Sequence, residues 1–129
     1  MSAADHKMQS FDGTELFYRS WIPEKPTDRA LLLFHRGHEH SGRWDELVRL
    51  LGLEDLAIFA WDSRGHGHSP GPRGGAENFA VTIKDVDAFV RHVALEHGFA
   101  LENIIVLAHS MGAGSVAGWV RDYAPPLRA

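Results

Sequence analysis

Apolar residues in this chain fall into short continuous runs, and stretches with helical periodicity follow them. Three runs are almost entirely apolar: residues 30–34, 56–61 and 103–107. Such runs are typical of strands that are buried on both faces of a parallel sheet. Apolar residues then recur at spacings of three and four in the segments that follow: residues 44–51, 79–93 and 111–123. The pattern therefore predicts a helix after each of the three strands.

Two further strands are predicted at the start of the chain, at residues 8–11 and 15–21. The Asp12-Gly13 dipeptide between them is typical of a hairpin turn. Gly98 is placed to end the second helix. An initial hairpin followed by alternating strands and helices predicts an α/β fold, with a mostly parallel sheet flanked by helices. We interpret residues 1–129 as one domain.

A glycine-rich loop follows each of the three apolar strands, and ligands collect at the carboxyl ends of strands in such sheets. The third loop, Ala-His-Ser-Met-Gly at 108–112, puts Ser110 between a strand and a helix. This is the context of a nucleophile elbow. A strained turn with positive φ would raise the Ser110 Oγ clear of the sheet and leave the Met111 N–H free to bind an oxyanion. The alternative is a serine that caps a buried helix.

The loop sequences His-Arg-Gly-His-Glu-His-Ser-Gly-Arg at 35–43 and Asp-Ser-Arg-Gly-His-Gly-His-Ser at 62–69 carry a family resemblance. Together with the serine turn, they resemble the α/β-hydrolase fold, in the branch of monoacylglycerol lipases, lysophospholipases and serine aminopeptidases. The resemblance implies a serine hydrolase of carboxylic esters, with Ser110 as nucleophile. Monoacylglycerol-like or lysophospholipid-like esters are the implied substrates, and peptides or small esters are the alternatives.

The same resemblance implies a second oxyanion donor in the loop after the first apolar strand. Matching residues 35–37 to the family's His-Gly-x pattern assigns this role to the Gly37 N–H. Arg36 stands where the family has glycine, so the Arg36 N–H is the alternative donor. Two fixed N–H groups are needed because the tetrahedral intermediate places a negative charge on one oxygen.

Asp62 follows the second apolar strand and could be interpreted as a catalytic acid. In the family, its counterpart belongs to a structural Asp-x-Arg-Gly turn. The resemblance therefore implies that the Asp62 carboxylate braces loop N–H groups, with Arg64 as an ion-pair or backbone partner.

Histidines cluster in two of the glycine-rich loops: His35, His38, His40, His66 and His68. Alternating histidines on an extended segment can chelate a metal. No carboxylate-rich set accompanies them, and the family resembled needs no metal. We interpret them as structural loop residues and expect no metal or other cofactor. His109 adjoins the nucleophile, but neighbouring side chains point apart, so it is not expected to be the general base.

Charge and composition narrow the classes of partner. The net charge is −4 and no basic stripe is present, which argues against nucleic acid as a partner. The chain has no cysteine, which excludes disulfides, thiolate metal sites and a cysteine nucleophile. No signal peptide and no apolar run long enough to span a bilayer is visible. We therefore expect a cytoplasmic protein whose partner is a small ester or lipid substrate.

The catalytic residues of an α/β hydrolase follow one another as nucleophile, acid and histidine. Residues 111–129, after Ser110, contain one acid, Asp122, and no histidine. We therefore expect a partial domain, the N-terminal half of a hydrolase without the later strands, lid, catalytic acid and histidine. Such a chain would be inactive alone. The alternative is a non-catalytic binding or scaffold module with an α/β-hydrolase-like fold.

Overall fold

The computed structural model describes residues 3–34, 48, 55–62, 69, 79–108, 111–123 and 125–127. Its strands are β1 (Ala3–Gln9), β2 (Glu15–Trp21), β3 (Ala30–Phe34), β4 (Ala57–Trp61) and β5 (Ile104–Ala108). Two helices are described over their length, α1 (Phe79–His97) and α2 (Met111–Tyr123), and a 3-10 turn at Leu101–Asn103 precedes β5.

The five strands form one sheet in the order β1-β2-β4-β3-β5. β1 and β2 are antiparallel, and so are β2 and β4, whereas β3 pairs in parallel with both β4 and β5. Two parallel strands of one sheet must be joined by a crossover connection. α1 is part of the crossover between β4 and β5. The predicted α/β architecture, an initial hairpin followed by mostly parallel strands, is confirmed.

The hairpin turn forms where the sequence predicts it. Gly13 has φ of +83°, a left-handed conformation that glycine adopts without steric cost. The Ser10 N–H donates to the Thr14 carbonyl at 2.8 Å, which closes the turn. β1, however, begins at Ala3 and not at residue 8 as predicted. Polar residues such as Asp5 and Lys7 continue the pairing because β1 lies at one end of the sheet.

The core lies on both faces of the sheet, because successive strand residues point to opposite sides. Leu32 and Phe34 of β3 face the larger cluster, which α1 and α2 cover. Leu31 and Leu33 face a smaller cluster that includes Val48. Val48 is the described residue of the helix predicted at 44–51, and it is helical and buried.

A buried hydrogen bond ties the hairpin turn to α1. The Ser10 hydroxyl donates to Asp85 Oδ1 at 2.5 Å, and Asp85 is 1% exposed. We expect Ser10→Ala to lower the free energy of unfolding by about 1–3 kcal/mol, because a buried carboxylate then loses a hydrogen-bond donor. Urea unfolding measures the change. A loss below about 0.5 kcal/mol would show that this bond does not stabilise the fold.

Candidate functional site

The carboxyl ends of three neighbouring strands meet at one edge of the sheet. Phe34, the last residue of β3, pairs with Ala108, the last residue of β5. On the other side of β3, Leu33 pairs with Ala60, so β4 ends at the same level. Because paired strands lie about 4.8 Å apart, the three strand ends lie side by side at this edge. The segments that follow them begin at residues 35, 62 and 109.

The segment that contains Ser110 connects β5 directly to α2. β5 ends at Ala108 and α2 begins at Met111, so two residues make the whole connection. A strand-to-helix turn of this length is what a nucleophile elbow requires. Met111 is the first residue of a helix, and N–H groups there have no partner within the helix. Such groups need a partner from outside the helix.

α2 is held against α1 by a buried indole. Trp119 is 1% exposed, and its Nε1–H donates to Asp87 Oδ1 of α1 at 3.0 Å. Arg91 donates from Nε to both oxygens of the same carboxylate, at 3.0 and 3.2 Å. Asp87 is thus fixed from two sides and fixes Trp119 in turn. This contact holds the helix whose first turn follows Ser110.

The segment after β4 is tied back to β2 by backbone groups and one serine. The Asp62 N–H donates to the Phe17 carbonyl at 2.8 Å. The Ser69 hydroxyl donates to the Asp62 carbonyl at 2.5 Å and accepts the Phe17 N–H at 2.9 Å. Asp62 is fully buried and Ser69 is 3% exposed. Ser69 and Asp62 are therefore both bonded to the neighbouring strand β2.

Ser69 is a bracing residue that the sequence interpretation missed. It is the last residue of the Asp-x-Arg-Gly-His-Gly-x-Ser block, and its place in that block is the signal that could have identified it. That the Asp62 carboxylate braces loop N–H groups stays a prediction.

The remaining predicted site residues lie outside the described residues: His35, Arg36, Gly37, Arg64 and Ser110. The positive φ at Ser110, and the convergence of the Met111 N–H with that of Gly37 or Arg36, therefore stay predictions. The histidines considered above as metal ligands are also outside the described part. Within that part, no group of three or more His, Asp or Glu side chains could hold a metal ion, and no helix is long and apolar enough to cross a membrane.

Comparison with known proteins identifies relatives over most of the chain. The family model described as serine aminopeptidase, S33, matches residues 25–129. YnbC of Escherichia coli K12 is 48% identical over 125 residues, which are 96% of this chain and 21% of that protein. Human monoglyceride lipase is 38% identical over 107 residues, which are 82% of this chain and 34% of the lipase. The chain thus spans a fifth to a third of these two relatives.

A solved structure shows the same fold. The carboxyl esterase from Bacillus coagulans superimposes with a TM-score of 0.79 at 19% identity, over 98% of this chain and 42% of the esterase. At this identity the likeness concerns the fold alone. It agrees with the strand order and parallel pairing described above, and the prediction of an N-terminal part of the α/β-hydrolase fold is confirmed.

Proposed function

Because the chain belongs to the serine aminopeptidase S33 family of α/β hydrolases, we propose that it carries the nucleophile half of a serine hydrolase that cleaves carboxylic esters. Ser110 is the proposed nucleophile. The Met111 N–H and the Gly37 N–H, or that of Arg36, are the proposed oxyanion donors. The substrates we propose are monoacylglycerol-like or lysophospholipid-like esters, supported by similarity to a relative named monoglyceride lipase.

The observation that carries this proposal is the pairing of Phe34 with Ala108. It brings the ends of β3 and β5 together. The segment that contains the proposed donor Gly37 and the segment that contains Ser110 therefore start about one strand spacing apart. The start of α2 at Met111 adds an N–H group on the same side. Both proposed donors and the proposed nucleophile therefore originate at one edge of the sheet.

The proposed reaction is acyl transfer through a covalent intermediate. Ser110 Oγ attacks the ester carbonyl carbon, and the carbonyl oxygen becomes an oxyanion bound by the two N–H groups. The C–O bond to the alcohol then breaks, and the alcohol leaves with a proton from the general acid. Water next attacks the acyl-enzyme, which releases the carboxylic acid and restores the Ser110 hydroxyl.

The proton of Ser110 requires a general base, since an unassisted hydroxyl is a poor nucleophile. Residues 111–129 contain no histidine. We propose that the base and its acid partner belong to the part of the domain that the relatives have in addition to the matched segment. β5 lies at one end of the described sheet and Leu107 is 46% exposed, which supports a continuation of the sheet on that side.

A hydrolysis assay on a short-chain nitrophenyl ester tests this division of roles. We expect the 129-residue chain to hydrolyse the ester at a rate near background, because it holds no histidine after Ser110. A chimera in which this chain replaces the matching segment of YnbC, assayed beside intact YnbC, supplies the rest of a domain. We expect it to be active.

Two results would contradict the proposal. Ser110-dependent turnover by the chain alone would show that it contains its own base, with His38, His40 and His66 as the first candidates. A folded chimera without activity, beside an active intact YnbC, would instead favour a binding or scaffold module.

A further inference from the structure

A cluster of rings joins the first hairpin to the C-terminal part of α1. Tyr18 of β2 is 1% exposed, and its hydroxyl lies 2.9 Å from His92 Nε2 and 2.8 Å from His97 Nε2. His6 of β1 stacks on the Tyr18 ring at 4.7 Å, and its own Nε2 lies 2.7 Å from the Ser20 hydroxyl. One buried phenol is thus shared by two imidazoles of the helix.

Besides Tyr18 of β2, the groups that face these imidazoles come from three elements. β1 contributes His6, whose ring lies 5.3 Å from that of His97, and β4 contributes the uncharged ring of Phe59 at 4.6 Å. α1 itself contributes Glu96. Burial lowers the pKa of both His92 and His97, and repulsion by His6 lowers it further, while Glu96 acts in the opposite direction. Burial, with Glu96, raises the pKa of Tyr18 to about 12, so the phenol keeps its proton.

The number of protons on the two imidazoles decides whether the phenol O–H of Tyr18 keeps an acceptor. With both imidazoles neutral, the phenol O–H donates to one Nε2 and accepts an N–H from the other. A first added proton makes one imidazole a cation that still donates, so both bonds remain. A second makes both imidazoles donors, which leaves the phenol proton without an acceptor. It also places two cations beside His6.

We propose that Tyr18, His92 and His97 form a proton-controlled latch, which fastens the β1–β2 hairpin to α1 at neutral pH and releases it in mild acid. The second protonation opens the latch, because it takes the acceptor away from the phenol O–H and places two imidazolium cations against one hydroxyl. The latch is independent of Ser110, and its test needs no enzyme activity.

Release of the latch would also affect the edge of the sheet at which the proposed site lies. Phe17 precedes Tyr18 in β2, and both of its backbone polar groups bond to residues that follow β4. Its N–H donates to the Ser69 hydroxyl, and its carbonyl accepts from the Asp62 N–H. A loosened β2 would therefore loosen this brace as well. Acid is expected to act first on the hairpin and then on the loop from Asp62 to Ser69.

The sign of the pH effect follows from the lowered pKa values. Below the ordinary pKa of 6.5, the unfolded chain binds more protons at His92 and His97 than the folded chain does. The stability that the neutral latch contributes is therefore complete above pH 6.5. It is lost as the pH falls from there through the lower pKa values of the folded state.

Backbone hydrogen exchange of the chain tests the latch, with protection factors compared at about pH 7.5 and about pH 5. We expect amides of β1 and β2 to lose about tenfold or more in protection, while amides of β3 and β5 change less. His92→Gln and His97→Gln retain a hydrogen-bonding group without titration and should each weaken this response. His109→Gln, at a histidine that the proposal does not include, should leave it unchanged.

NMR of the histidine rings gives a second measurement. It uses the unmodified chain, so no substitution can affect folding. His92 and His97 are expected to titrate in two coupled steps, both below 6.5. The latch is wrong if the two rings titrate independently at their ordinary value. It is also wrong if acid lowers protection equally in all five strands, or if both glutamine variants keep the full response of the hairpin.

Discussion

Ser110→Ala, introduced into the chimera with YnbC, is expected to lower the rate of ester hydrolysis by about three to six orders of magnitude. The physical reason is that the nucleophile, base and acid of such a site act as a unit, so the loss of one removes nearly the whole contribution of the set. Oxyanion donors and substrate contacts would sustain only a small residual rate. The measurement is kcat/KM on a nitrophenyl ester.

A serine on the same helix provides the matched control. Ser115 lies within α2, one turn beyond Met111, and the proposal gives it no part in the chemistry. Ser115→Ala is therefore expected to retain activity within about threefold, which is a difference of less than 1 kcal/mol in transition-state stabilisation. Equal losses in both variants would indicate damage to α2 and would remove the support for Ser110.

Trp119→Ala is expected to cause the largest loss of stability among the changes considered. The indole is 1% exposed in the core between the sheet, α1 and α2. Its truncation removes buried apolar surface and leaves a cavity, which together cost about 3–5 kcal/mol for a tryptophan. It also ends the hydrogen bond to Asp87. Urea unfolding followed by circular dichroism measures this change.

Two variants separate the causes of that loss. Trp119→Phe keeps most of the buried ring but no N–H donor, and it should cost about 1–3 kcal/mol. Val120→Ala changes the next residue, which is 44% exposed, and should alter stability by less than about 0.5 kcal/mol. A loss at Trp119→Ala no larger than at Val120→Ala would contradict the packing described for α2.

The strands and helices near the proposed site could be predicted because their sequence patterns are local. The apolar run 30–34 matches β3, and the limits predicted for β2 and α2 match the structure. Each of these segments is either buried on both faces or has one apolar face. The spacing of apolar residues therefore predicts whether it is a strand or a helix. Gly13 and Gly98 also lie at the predicted ends, each with positive φ.

Features that depend on contacts distant in sequence could not be predicted. The first half of β1 is polar, so it shows no alternation of apolar and polar residues that would predict a strand. It is a strand because it pairs with β2. The contact of Tyr18 with His92 and His97 joins residues 74 and 79 positions apart. Ser69 bonds with Phe17 across 52 positions. Such pairs become visible only when the register of the sheet and the position of α1 are known.

The candidate site could be predicted in part because its chemistry is carried by short motifs. The position of Ser110 between a strand and a helix follows from residues 103–123 alone. That the loops after β3 and β5 are neighbours required the strand order, in which β3 lies between β4 and β5. The general base could not be predicted, because residues 111–129 contain no histidine.

Covalent labelling with a fluorophosphonate tests the central claim, that Ser110 is an activated nucleophile, most directly. The probe forms a P–O bond to an activated serine and releases fluoride, and peptide mass spectrometry locates the added mass. In the chimera we expect labelling on the peptide that contains Ser110, with loss of esterase activity in proportion. No label is expected in the Ser110→Ala variant. An active chimera that is labelled at another residue, or that keeps full activity without a label at Ser110, would contradict the assignment.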